Sequence, residues 1–339
     1  MAVIPDPVLE EKAQLKTEQV QQIIRSVEKA CEHNSDEERR WLLELCQPSN
    51  PCFATLVRLV YQPKYKAFFA LRAVCLRAVQ MLLQIAKMTF TDAAGDPDLG
   101  WKTFVELAGV EQAREAYPEL VLLAQQQVEF VVASNAITLL SELGPSALKL
   151  EHVPLLLELL QVLPDRAGDI SEVALRVHAW GGDYRPMLCD AIAQHPGGKI
   201  LVEVLLQMIN RCDEKRRQRA LKVLTECFQL PEAAELLYTN DARVLVEILL
   251  RELPAHAEDV RAFMCYTGCL KALAAANPAA RQHRRDEVLQ VLEDLRQDDR
   301  LQMEVREQCA KVMATMHCGA EDLSASLDTF GLSGAMECS

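Results

Sequence analysis

The sequence predicts an all-α fold, built as an armadillo/HEAT-like helical repeat solenoid. Half of the 339 residues are apolar, yet only 5% are aromatic and only 13 are glycine. That balance favours helix and leaves little material for sheet. Apolar residues recur at helical spacing almost throughout. Short polar joints divide this pattern into segments of about 10 to 25 residues, consistent with stacked pairs recurring every roughly 40 residues. No strict internal repeat is visible, and a compact bundle is the competing architecture. The stack is favoured because "LLLELLQVL" and "VLVEILL" are apolar on more than one side, as a middle-layer helix must be.

Taken in order, residues 8–33 predict a long polar helix with Val20, Ile23, Ile24 and Val27 on one side. It is either a candidate for self-association or a single solvated helix. In "NSDEERRWLLELC", Ser35 stands at a cap position and Glu38 three residues later, the capping-box spacing. Helices follow over 52–61 and 64–88, then a loop, "TDAAGDPDLGW" (91–101). The stretch 103–143 reads as two or three helices ended by Gly144-Pro145. "EHVPLLLELLQVL" is a short buried helix and "PDRAGD" a loop. "AWGGDYRP" (179–186) is the sharpest break, its glycines allowing a turn while Trp180 fills a core gap. Regular units follow over 198–210, 214–229, 241–252, 257–276, 285–297 and 302–316, with joints at Pro231, Pro254, Pro278 and "RQDDR". Residues 319–339 are small and polar, the composition of a disordered tail. That leaves 1–318 as a single armadillo-like domain.

The net charge of −13 sets a field that repels nucleic acid and anionic membranes, so no nucleic-acid partner is expected. The start "MAVIPDPVLEEKAQLK" lacks a signal peptide's basic and apolar regions. Arg72, Arg77 and Lys87 interrupt the longest apolar run, which argues against membrane insertion. The chain reads as cytoplasmic. Its twelve cysteines include no CxxC spacing. Cys265 and Cys269 share a helical face, but without a histidine pair core packing outweighs metal binding, and no cofactor is expected. The catalytic motifs GxSxG, HExxH, GxxxxGK[ST] and GxGxxG do not occur. The histidines (His33, His152, His178, His195, His256, His283, His317) are scattered, without the convergence acid–base catalysis needs. The sequence is not read as that of an enzyme.

Binding surfaces are better represented. Two basic clusters interrupt the acidic background: Lys215, Arg216, Arg217 and Arg219, then Arg281, His283, Arg284 and Arg285. Each is either a solvated helix start or a docking point for an acidic protein surface. In "YTNDARVLVEILLREL" (238–253), Thr239, Asn240 or Asp241 has the chemistry to cap a helix. Val244, Leu245, Ile248 and Leu249 form its buried stripe. Arg243, Glu247 and Arg251 stand four apart on the other side, the spacing of intrahelical ion pairs.

This helix, with "HRRDEVLQVLEDL" and "LQMEVREQCAKVM" downstream, resembles the leucine-rich, armadillo-like domain of the WISH/DIP/SPIN family over roughly residues 200–316. The matching positions are Tyr238, Asp241, Leu245, Glu247, Ile248 and Arg251; then His283, Arg284, Val288 and Leu289; then Val305, Arg306, Glu307 and Cys309. The SH3 domain and proline-rich linker of animal members have no counterpart here, so the likeness is to compact members such as those of fungi. The resemblance implies that the chain binds the actin-related protein 2/3 complex and activates it without a pre-existing filament, seeding linear actin filaments in cortical or endocytic patches. Arg243, Glu247, Arg251, Arg284 and Arg285 are the candidate protein-binding residues. The alternative is a generic armadillo-type adaptor or chaperone cofactor.

Overall fold

The computed structural model describes residues 7–33, 36–90, 96, 98–125, 129–230, 232 and 236–317. The Ser35 capping box, positions 91–95 of the predicted loop, the Pro231 joint and the C-terminal tail lie outside the described residues. Every regular element among them is a helix. Packing divides the chain into two compact units, Met1–Met187 and Leu188–Ser339, where sequence spacing suggested one continuous domain.

The first unit holds α1 (Pro7–His33), α2 (Asp36–Leu45), α3 (Pro51–Tyr61), α4 (Phe69–Phe90), α5 (Leu99–Ala108), α6 (Val110–Ala124), α7 (Phe130–Leu143), α8 (Val153–Val162) and α9 (Ala167–Trp180). Helix α4 packs against α1, α3 and α7. Its stretch Phe69–Met88 is, despite its charges, long and apolar enough to cross a membrane by length and composition, and 56% of that window is buried here. Helix α7 is buried from Val132 to Leu143 without a break. It is the helix that must bury every side.

Three joints of this unit differ from the sequence reading. Helix α4 begins at Phe69, after a 3-10 turn at Pro63–Tyr65. The fully buried Arg72 accounts for this, since its guanidinium donates to the carbonyls of Val60 (2.9 Å) and Lys66 (3.3 Å) and pairs with Glu119. Those carbonyls are free only if the helix is interrupted between them. "PDRAGD" is a 3-10 turn followed by the first turn of α9, with Pro164 at a helix-opening position. At "AWGGDYRP", Gly181 and Gly182 adopt φ of 75° and 51°, as a turn requires. Trp180, however, is only half-buried and meets Tyr184 edge-on at 5.2 Å. The Tyr184 hydroxyl, shared between the carbonyls of Pro145 (2.6 Å) and Leu148 (2.5 Å), fastens the break instead.

The unit boundary falls within α10 (Tyr184–Gln194). The second unit continues with α11 (Gly197–Arg211), α12 (Glu214–Cys227), α13 (Thr239–Ala255), α14 (Val260–Ala276), α15 (Pro278–Gln282), α16 (Arg285–Gln297) and α17 (Met303–His317). Three hairpins, α11/α12, α13/α14 and α16/α17, stack so that α12, α14 and α17 form one row and α11, α13 and α16 the other. The row α12, α14, α17 opens at Glu214, Val260 and Met303, steps close to the roughly 40-residue period of armadillo and HEAT units. The second unit is therefore a helical-repeat stack, within the all-α class the sequence predicts.

Pro254 is not a joint. Helix α13 runs through it, because a proline in the last turn forfeits one hydrogen bond where the helix is closing anyway. The His256 amide, bonded to the Glu252 carbonyl at 3.1 Å, ends it.

The cysteines follow the packing reading. Cys269 is fully buried and Cys265 half-buried. Burial pushes the thiols of Cys46, Cys75 and Cys269 up to about 12. A thiol so disfavoured as thiolate is a poor nucleophile and a poor metal ligand. Iodoacetamide treatment of the native chain near pH 8, read by peptide mass spectrometry, is expected to label the exposed Cys31 early and to spare Cys46, Cys75 and Cys269 until unfolding.

Candidate protein-interaction surface

Helix α13 begins at Thr239 with Tyr238 at the cap position and no side-chain cap, so none of Thr239, Asn240 and Asp241 caps it. All three lie in its first turn, where the Asp241 carboxylate suits the positive end of the helix dipole. The buried stripe is Ala242, Leu245, Val246, Ile248, Leu249, Leu250 and Leu253. Val244 is 42% exposed and Val246 takes the place predicted for it. Val244 shares the outer face with Asn240, Arg243, Glu247 and Arg251, all exposed. Tyr238 adds an exposed ring at the start of this face, with Lys199 Nζ 5.6 Å from its centroid.

The predicted ladder of ion pairs along α13 does not form. Glu247 instead bonds His283 Nε2 at 2.9 Å, joining α13 to the end of α15. Arg251 pairs with its neighbour Glu252 (2.7 Å). Arg243 takes part in no ion pair among the described residues, which leaves its fork of donors directed at solvent. Arg284 adopts a left-handed backbone, φ 50°, and holds Glu287 through two bonds of 2.6 and 2.7 Å. Arg285 turns the other way: its Nε donates to the Met316 carbonyl (3.1 Å) and its Nη2 meets His317 Nδ1 (3.1 Å). A cation there satisfies an open carbonyl at the C-terminal end of α17. The structure thus gathers Arg243, Glu247 and Arg251 on one helix face, links Glu247 to His283 beside Arg284, and gives Arg285 a capping task.

The basic clusters are less exposed than their composition suggests. Arg281 is 7% exposed. Arg217 is half-buried among Glu214 (3.4 Å), Glu252 (3.2 Å) and the Tyr266 hydroxyl (3.3 Å). His256 completes this group, stacked on Tyr266 at 4.9 Å with Nε2 3.5 Å from both glutamates. Sequence reasoning missed this network, which ties α12, α13 and α14 together. A signal was present: Arg217 lies four residues before Leu221 and seven before Leu224, on the buried side of α12. Burial raises the Tyr266 hydroxyl, and Arg217 beside it opposes that shift.

Cavities on this unit are shallow and polar, one of about 550 Å³ beside Gln282, Arg284, Arg285, Asp286 and Glu287 and one of about 260 Å³ beside Glu258, Asp298 and Arg300. The first unit has a cavity of about 190 Å³ at Trp101, Tyr117, Ser146 and Ala147.

Fold and surface together define an all-α protein whose second unit is a helical-repeat stack with a charged, partly aromatic face. Residues 173–299 match the family described as SPIN90/Ldb17, leucine-rich domain. Over these residues the chain is similar to the SPIN90/WISH/DIP family, which its C-terminal motifs also resemble. The match includes the whole of α13 and of α16; it begins in α9 and ends before α17, so "VREQC" lies beyond it. No curated protein matches the chain. Among solved structures, an engineered protein is 16% identical over 87% of this chain and 99% of its own, with a TM-score of 0.40. SYS-1 is 15% identical over 82% of this chain and 49% of its own, with a TM-score of 0.35.

Proposed function

We propose that this chain binds the actin-related protein 2/3 complex and holds it in its active arrangement, so that the complex seeds linear actin filaments without a pre-existing filament. The observation that carries this reading is the family match over residues 173–299, which includes the whole of α13. The action is one of binding, not of chemistry on a substrate. An activator must bind the active arrangement more tightly than the inactive one, and shifting a 1:99 equilibrium to 99:1 takes about 10⁴-fold preference. A rigid helical stack suits that task, because little of its own ordering opposes binding. The place of action is the cytoplasm, at cortical or endocytic actin patches, with neither nucleic acid nor membrane insertion involved and α1 as the route to any self-association.

The test is pyrene-actin assembly with purified chain and the complex, without preformed filaments or another nucleation-promoting factor. The wild-type chain is expected to shorten the lag. Combined Arg243→Glu, Glu247→Arg, Arg251→Glu and Arg284→Glu changes are expected to weaken that effect at least about tenfold, as hot-spot losses at an interface do, with unchanged circular dichroism. Arg285 is kept, since its loss would loosen α17. No acceleration by the wild-type chain would favour the adaptor reading; full activity of the folded variant would move the contact face elsewhere.

A further inference from the structure

The opposite row of the second unit carries a different surface. Helix α12 has no acid between Glu214 and Glu226, and α14 has none along its whole length. Lys215, Arg219 and Lys222 line one exposed face of α12, and Arg261 and Lys271 one exposed face of α14. None of the five takes part in an ion pair among the described residues, on a chain of net charge −13. The two faces adjoin: burial raises the Cys265 thiol of α14, Lys222 of α12 opposes that rise, and Glu214 and Asp259 at the helix starts reinforce it. Thr225 stands opposite Gly268 in the same register.

Gly268 is the second observation. A glycine within a helix is destabilising relative to alanine. Packing does not require it here, because a Cβ would meet only Thr225 Cγ2, at an ordinary 3.9 Å. It leaves bare backbone on this face, near the half-buried Cys265 and the 40% exposed Met264. On the far edge α17 presents the exposed Glu304 and Glu307, two acids against the single exposed Lys311 on that face. A long polyanion such as nucleic acid, or an anionic membrane, would run onto these carboxylates. A short segment lying over α12 and α14 would not.

We infer that the α12–α14 face is a second docking surface, and that its occupant is an acidic segment of a protein partner, with carboxylates on Lys215, Arg219, Lys222, Arg261 and Lys271 and an apolar side chain over Gly268. This surface is distinct from the α13 face and does not depend on the actin reading.

The test uses the full chain and a fluorescein-labelled peptide of about 12 residues, rich in Glu and Asp around one central Leu, read by anisotropy. The peptide is expected to bind, and to weaken about tenfold between about 50 and about 200 mM NaCl as the charges are screened. Lys215→Glu, Arg219→Glu, Lys222→Glu and Arg261→Glu together are expected to abolish binding, whereas Arg243→Glu with Arg251→Glu leaves it intact. Gly268→Ala is expected to raise Tm yet weaken the peptide severalfold, which a merely structural glycine would not do. The inference is overturned if the Gln/Asn version of the peptide binds equally well, or if the fourfold variant binds like wild type. It is also overturned if single-stranded RNA or phosphatidylserine vesicles bind this face more tightly than the peptide, or if sedimentation shows the face occupied by a second copy of the chain.

Discussion

Glu142→Ala is expected to destabilise the first unit by about 3 kcal/mol or more, measured as a lower urea midpoint at pH 7. The Glu142 carboxylate, 4% exposed, sits near the end of α7. It accepts from Lys87 Nζ (2.8 Å) on α4, Arg176 Nη2 (2.7 Å) on α9, and the Gln84 amide (2.6 Å). Removing one partner from such a group leaves charges that burial has already stripped of part of their water. Lys87 and Arg176 keep contact with solvent, at 24% and 29% exposure, which holds the loss toward the lower end of the range for buried pairs. The same group gives the unit an acid limb. Burial pushes the Glu142 carboxyl up, but Arg176 and Lys87 outweigh it and leave the group below its ordinary 4.5. A carboxylate whose folded value lies below its unfolded value contributes stability above the unfolded value. That contribution is lost as pH falls through the folded value. Glu142→Gln should flatten this limb below about pH 4.5 while leaving the slope above it unchanged.

Gly100→Ala is expected to cost about 3 kcal/mol, at the upper end of what overpacking usually costs. Its Cβ would fall 1.8 Å from the Glu142 carbonyl oxygen and 2.9 Å from Leu143 Cα. Both are backbone atoms of α7, so no rotamer change relieves the clash. Alanine's better helix propensity, worth about 1 kcal/mol, opposes the loss without reversing it. The displaced carbonyl also accepts from Lys87 Nζ at 3.2 Å. The two substitutions therefore act on one junction, and their effects in the double variant should fall short of additive. Thermal unfolding of the two single variants and the double variant checks this.

Helix content and most boundaries were legible because apolar spacing and short polar joints are local signals. Several of the failures share a physical cause: they depended on what a long polar side chain found across the fold. Arg72 looked like an interruption of an apolar run and proved to be its anchor, with its charge satisfied by Glu119 and two open carbonyls. Arg217 and Arg281 looked like solvated cations and turned inward. On α13 the outer positions Arg243, Glu247 and Arg251 were read correctly as exposed. Their partners were not, because Glu247 reached a histidine 36 residues away rather than an arginine one turn away. Spacing along a helix says which face a residue shares; it does not say which neighbour across the groove competes for it.

The stacking of the second unit has a mechanical consequence. In a helical-repeat array each hairpin is steadied only by the hairpins beside it, so opening begins at the ends and spreads inward. The hairpin α13/α14 has another hairpin of the same unit on either side. Arg243, Glu247 and Arg251 thus stand on its quietest layer, where a contact can hold its shape while the last hairpin frays.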